Sequence, residues 1–180
     1  MGLDISAYSQ LVKTENEDYI DAYLYKNDFV FEQSKGIEPG NYFLEGECHS
    51  FRAGSYSGYN EWRKMLAEMI GYTPEEIWAI SEALVRDDKL NEVLDEKSEK
   101  LVIPFIELIG FSDCEGYIGP IVSNKLYNDF ESNRDKALEF SKNHPTHIVN
   151  SKNVDWFIRL YDDFMEGFRI SSNSGAVCFH

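Results

Sequence analysis

The feature that most constrains this chain is an apolar stripe between residues 154 and 168. Val154, Phe157, Ile158, Tyr161, Phe164, Met165 and Phe168 recur at three- and four-residue spacing, and Asp155, Arg159, Asp162, Asp163 and Glu166 fill the opposite face. That period is a helix with one apolar, largely aromatic side. Such a helix needs a sheet or other helices to cover it, and an aromatic stripe of this kind is ordinarily core, not a cofactor box.

The rest of the chain supplies the cover in two registers. Up to about residue 53 it reads as short strands: Leu3–Tyr8 alternates, Ile20–Tyr25 is rich in tyrosine, Phe29–Phe31 and Tyr42–Leu44 flank a turn at Pro39-Gly40, and His49–Ala53 adds one more. From Asn60 the period becomes helical, with Trp62, Met65, Leu66, Met69 and Ile70 on one face, Asn60 as its cap and Gly71 as its stop. Thr73, Pro74 and Glu76 form a capping box that opens a second helix with Ile77, Ile80 and Leu84 inward. Residues 90–100 read as a charged surface helix. Pro104 opens a short helix burying Phe105, Leu108 and Ile109, with Glu107 turned to solvent, and Pro120 leads a longer one to about Phe140. GAVCFH alternates like a strand. No linker or repeat divides residues 1–180, so they read as a single domain.

The expected fold is α+β: a small antiparallel sheet of N-terminal strands plus the C-terminal strand, packed against four to six helices. If GAVCFH lies beside MGLDISAY, both ends of the chain come near the FRAGSY turn.

Charge limits the partners. Net charge is −15, from 32 acids against 17 bases. Direct nucleic-acid binding and docking on an anionic membrane are disfavoured, because both need basic side chains. The acidity is concentrated in residues 1–50 (10 acids, 3 bases) and 75–118 (12 acids, 4 bases). An acidic surface serves solubility, a basic partner, or mimicry of a polyanion. Three cysteines, Cys48, Cys114 and Cys178, behind a start that does not read as a secretion signal, suggest reduced thiols in the cytoplasm. The longest apolar run, Leu101 to Ile106, is too short to span a bilayer. Gly2 and Ser6 match a loose myristoylation pattern, but Leu3, Ile5 and Ala7 read better as a strand.

Two turns rich in glycine, serine and aromatics concentrate the candidate chemistry. FRAGSYSGYN passes from strand to helix, where free amides and the positive helix end suit an anion. Arg52 and Arg63 add donor forks, Tyr56 and Tyr59 offer rings for stacking, and Ser55, Ser57 and Asn60 offer polar contacts. It lacks the lysine and spacing of a phosphate-binding loop, and a purely structural tight turn is equally consistent with it. FSDCEGYIGP packs Asp113, Cys114 and Glu115 together, a combination open to acid/base work or to a thiolate nucleophile. Equally, Asp113 caps a turn, Glu115 is solvated and Cys114 is a small buried hydrophobe. His49, His144, His147 and His180 are the only histidines. His180 joins the weak catalytic candidates, but no spacing supports a metal site, and no cofactor is expected.

MGLDISAY, FRAGSYSGYNEWR, PFIELIGFSDCEGYIGP and GAVCFH together resemble a group of small uncharacterised proteins of bacteria, phages and prophages. The resemblance spans nearly the whole chain in order. It implies a bacterial or phage cytoplasmic setting and carries no activity or site residue with it. Three functional expectations stand side by side. The first is a small-molecule or peptide-binding protein, whether or not an enzyme, with its site at the two turns. The second is an acidic, phage-type interaction protein that binds a host factor or mimics nucleic acid. The third is a structural or accessory domain.

Overall fold

The computed structural model describes residues 2–15, 19–25, 33–73, 75–76, 103–111, 116–146, 148–149 and 154–180. Their elements run β1 (Leu3–Tyr8), β2 (Leu11–Thr14), β3 (Ala22–Leu24), β4 (Gly40–Leu44), β5 (Cys48–Gly54), α1 (Tyr56–Ile70), α2 (Ile106–Ile109), β6 (Gly116–Ile118), α3 (Pro120–Ser132), α4 (Arg134–Asn143), β7 (Ile148–Val149), β8 (Val154–Asp155), α5 (Trp156–Ser171) and β9 (Ala176–Phe179). The fold is α+β.

The main sheet has the order β5-β1-β9-β6, antiparallel throughout. β9 does lie beside β1, with Ile5 opposite Phe179 and Ser6 opposite Cys178. Strand alternation then sorts the side chains. Leu3, Ile5, Ala7, Ala53, Val177 and Phe179 join the larger core under the helices. Tyr8, Tyr117, Ala176 and Cys178 lie on the other face and meet a second, three-stranded sheet of order β2-β4-β3. That sheet contributes Leu11, Ala22, Leu24, Tyr42 and Leu44 to a smaller core. The layers are helices, main sheet, small sheet.

The stripe drives the larger core as its period requires. In α5, Phe157, Ile158, Tyr161, Phe164 and Phe168 are buried. Phe164 stacks on Trp62 of α1 at 4.8 Å between ring centroids, and Tyr161 meets Phe130 of α3 edge-on at 4.6 Å. Such pairs add to the stabilisation from area alone. Asp155 caps α5 by accepting from the Phe157 amide at 3.0 Å and also takes Thr146's hydroxyl and amide at 2.8 Å.

Several local expectations differ from the structure. α1 begins at Tyr56 with Ser55 as its cap, five residues before the expected cap; Asn60 lies inside the helix. Starting there puts Tyr59 in register with Trp62, Leu66 and Met69 on the buried face. Gly71 ends the helix as expected, in the left-handed region at φ 92°. The capping box is present: the Thr73 amide donates to Glu76 at 2.8 Å and the Glu76 amide to Thr73 at 3.2 Å. The remainder of that helix, the charged helix over 90–100 and the strand at Phe29–Phe31 lie outside the described residues. The helix from Pro120 breaks at Asn133 into α3 and α4. β2 and β6 were not foreseen. Glu107 is only partly exposed and pairs with Lys125 at 2.6 Å.

Candidate functional site

The exit of β5 and the entry to β6 lie at the same end of the main sheet. Gly54, the last residue of β5, pairs with Leu3, while Gly116, the first of β6, pairs with Phe179. Phe179 in turn pairs with Ile5. That end therefore collects the exit of β5, the entry to β6, the start of β1 and the finish of β9. Asp113, Cys114 and Glu115 precede β6 and lie outside the described residues.

Arg63 links the turns directly. From α1 its guanidinium donates to the carbonyls of Ile109, at 3.1 Å, and of Phe111, the first residue of the second turn. Its other arm donates to Asn60 Oδ1, and the cation sits 4.7 Å from the Tyr59 ring centroid. Arg63 and Asn60 are thus committed to holding α1 against the 109–111 segment. Tyr59, expected as a stacking surface for a ligand, is instead fully buried, with its ring 5.8 Å from Phe164 and 6.2 Å from Phe179. A ligand in solvent has no access to that ring.

The other half of FRAGSYSGYN faces water. Gly54 turns the chain out of β5 at φ 111°, where a side chain would be strained although no atom lies within 4 Å of its Cβ position. Ser55 then accepts the Gly58 amide at 3.0 Å and lies 3.1 Å from the Ser57 hydroxyl; both serines are exposed, and Tyr56 is half-buried. Arg52 is 64% exposed and approaches Asp4 at 3.7 Å, with Asp4 itself 58% exposed. Across β1, the Asp4 and His180 backbones exchange hydrogen bonds at 2.9 and 3.3 Å. Register therefore lines up Arg52, Asp4 and His180 as a cross-strand row on the outer face. Asp4 was not among the expected residues, though its alternation against Leu3 and Ile5 marks it as outward.

The outer face beyond this row is polar along its β5 half. Ser50 donates to Ser6 at 3.3 Å, and the Cys48 sulfur lies 3.6 Å from Ser50. Cys48 is exposed and Cys178 buried, both as free thiols. Burial pushes the Cys178 thiol up to about 12, so at neutral pH it is no nucleophile.

A second ionic cluster lies between β5 and α5. Asp163 pairs with Arg159 at 2.8 Å and lies 3.8 Å from His49 Nε2. Burial raises the Asp163 carboxyl above the usual range, against the opposing pull of Arg159 and His49. Arg159 also donates to the Arg52 carbonyl at 3.3 Å, which fixes the backbone from which Arg52 projects. At the far side of the second turn, Lys125 bridges Glu107 at 2.6 Å and Asp129 at 2.8 Å, and Asp129 accepts the Phe105 amide at 2.9 Å. Phe105 is held in the left-handed region, φ 62°, while wholly buried. Arg159–Asp163 and Lys125–Asp129 are four residues apart on their own helices; the other pairings join partners far apart along the chain, where sequence gives no signal. Among the described residues no group of three or more His, Cys, Asp or Glu side chains is placed to hold a metal ion.

No family model, curated protein or solved structure matches this chain.

Proposed function

We propose that the chain binds a small molecule or peptide through an anionic group at this sheet end. Arg52 supplies the charge, Ser55 and Ser57 supply hydroxyls beside the first turn of α1, and Tyr56 supplies the flanking ring. The observation that carries the reading is the contrast between the two arginines. Arg63 is spent on main-chain carbonyls, whereas Arg52, its guanidinium lying over Gly2, stays largely exposed and makes one long, exposed ion pair, of the kind that contributes little. A displaced Asp4 would therefore cost little when a ligand carboxylate or phosphate took its place. Any acid/base step would draw on His180, at the end of the same row, and on the Asp113–Glu115 segment.

The setting that fits is the cytoplasm of a bacterium or its phage. The free thiols of Cys48 and Cys178 support it, and the charge of −15 argues against direct nucleic-acid binding. No helix among the described residues is long and apolar enough to cross a membrane.

A thermal-shift screen with dicarboxylates, amino acids, sugar phosphates and nucleotides tests the reading, because a ligand selective for the folded state raises Tm. At least one anionic class is expected to stabilise the protein, and Arg52→Ala to abolish that shift while leaving the unliganded Tm in place. A shift that survives in Arg52→Ala would remove the site from this sheet end.

A further inference from the structure

Among the described residues, the small sheet has a face whose chemistry neither core uses. In a sheet packed on one side only, outward positions are normally polar. Here Leu11, Ala22, Leu24 and Tyr42 point inward, and the register Val12 opposite Phe43 and Tyr23 opposite Asn41 puts the alternate residues on the outer face. Val12 is 36% exposed and Tyr23 64%, and the Tyr23 ring stands 6.1 Å from that of Tyr25. Tyr19 and Ile20, on the approach to β3, are 71% and 40% exposed. Of the six large apolar side chains exposed among the described residues, four thus belong to residues 12–23 of this one layer. Such clustering marks an interaction surface, whereas scattered exposure does not.

The surroundings of the face specify the occupant. Glu15, Asp21 and Glu45 are exposed at the ends of its strands, and Lys13, the base within β2, stands opposite the inward Tyr42 and is engaged there with Glu38 at 2.9 Å. A second copy would bring the same acids against these, with −15 on each chain, and an anionic bilayer would be repelled. Tyrosine rings flanked by carboxylates favour instead a cation over the ring with a carboxylate beside it. We propose that the outer face of the β2-β4-β3 sheet docks a basic protein segment that alternates Arg or Lys with aliphatic side chains. The apolar groups lie on Val12 and Phe43, and the cations lie over Tyr23 and Tyr19 against the acidic rim. This surface is separate from the sheet-end site and does not depend on it.

A test uses the whole protein and a synthetic 15-residue Arg/Leu-alternating peptide, with an Arg/Ser peptide of equal charge and a Glu/Leu peptide as controls. Binding is followed by calorimetry and by amide-shift mapping. The Arg/Leu peptide is expected to bind and to perturb amides of residues 11–14, 22–24 and 40–44. Tyr23→Ser and, separately, Tyr19→Ser are each expected to weaken it by roughly tenfold, the loss of one cation–ring contact with its apolar area, while Arg52→Ala leaves it unchanged. Because both tyrosines are exposed, at least one of the serine variants should keep the parent Tm and serve as the probe. The proposal is overturned if no peptide binds, if Arg/Ser binds as tightly as Arg/Leu, if the tyrosine variants bind like the parent, or if the perturbed amides lie elsewhere. It is equally overturned if sedimentation shows the parent dimerising at low salt and Tyr23→Ser restoring the monomer, which would make a second copy the occupant.

Discussion

The two arginines that flank the first turn show how position decides what a charged side chain does. Arg63 serves two main-chain carbonyls of the 109–111 segment, so Arg63→Met would leave both without a donor in a partly buried place. Urea denaturation should show a loss of about 1–3 kcal/mol for that change. Arg52→Ala removes only an exposed pair and should stay within about 0.5 kcal/mol of the parent. If Arg52→Ala proved the more damaging of the two, the assignment of clamp and free arginine would be reversed. Neither role was readable beforehand, since both arginines flank the same strand-to-helix junction. What separates them is the arrival of Ile109 and Phe111, more than forty residues away in sequence.

At the scale of elements, what could be read was what local chemistry decides. The α5 stripe, the left-handed Gly71 and the Thr73–Glu76 capping box each depend on residues within one or two turns of one another, and each is present. β2 and β6, with four and three residues, are too short to display a period. Ser55 and Asn60 are both good caps; the buried register of Tyr59 with Trp62 and Leu66 decides between them, and that is a packing fact. The same register turned Tyr59 from an expected ligand contact into core. α5 also carries a pH dependence. Burial raises the carboxyls of Asp162 and Asp163 above their ordinary value, against the pull of Arg134 and Arg159. A carboxyl raised on folding binds its proton more tightly in the native state, so stability rises as pH falls through the raised value towards the ordinary one. Glu166, lowered chiefly by its hydrogen bond from Arg169, works the other way and loses its contribution only below the ordinary glutamate value. Tm is therefore expected to rise as pH falls from the raised value to the ordinary carboxylate value. The Asp162→Asn, Asp163→Asn double variant should flatten that slope, and an unchanged slope would remove the two carboxyls as its source.

For the whole molecule, the excess of 15 negative charges is the widest-ranging force. Many of the cross-chain ion pairs sit at half-exposed positions and are individually weak, whereas the net repulsion acts over the whole compact state. Raising NaCl from about 0.02 to about 0.5 M shortens the screening length several-fold. The melting temperature should rise across that range, and a flat or falling Tm would mean that paired charges outweigh the surplus. Charge sign and fold class were available from composition and period. The layer order, and hence which half of the outer face stays open, required the pairing of strands far apart in sequence.

The strand order also imposes a timetable on synthesis. β9 follows every other described element along the chain, yet it takes an interior place, between β1 and β6. Until it leaves the ribosome, β6 has no neighbour in the main sheet, and β1 has only β5. The nascent chain must carry the aromatic stripe of α5 through the exit tunnel before the floor on which it rests is complete. The sheet under that helix is thus closed only by the four residues Ala176–Phe179.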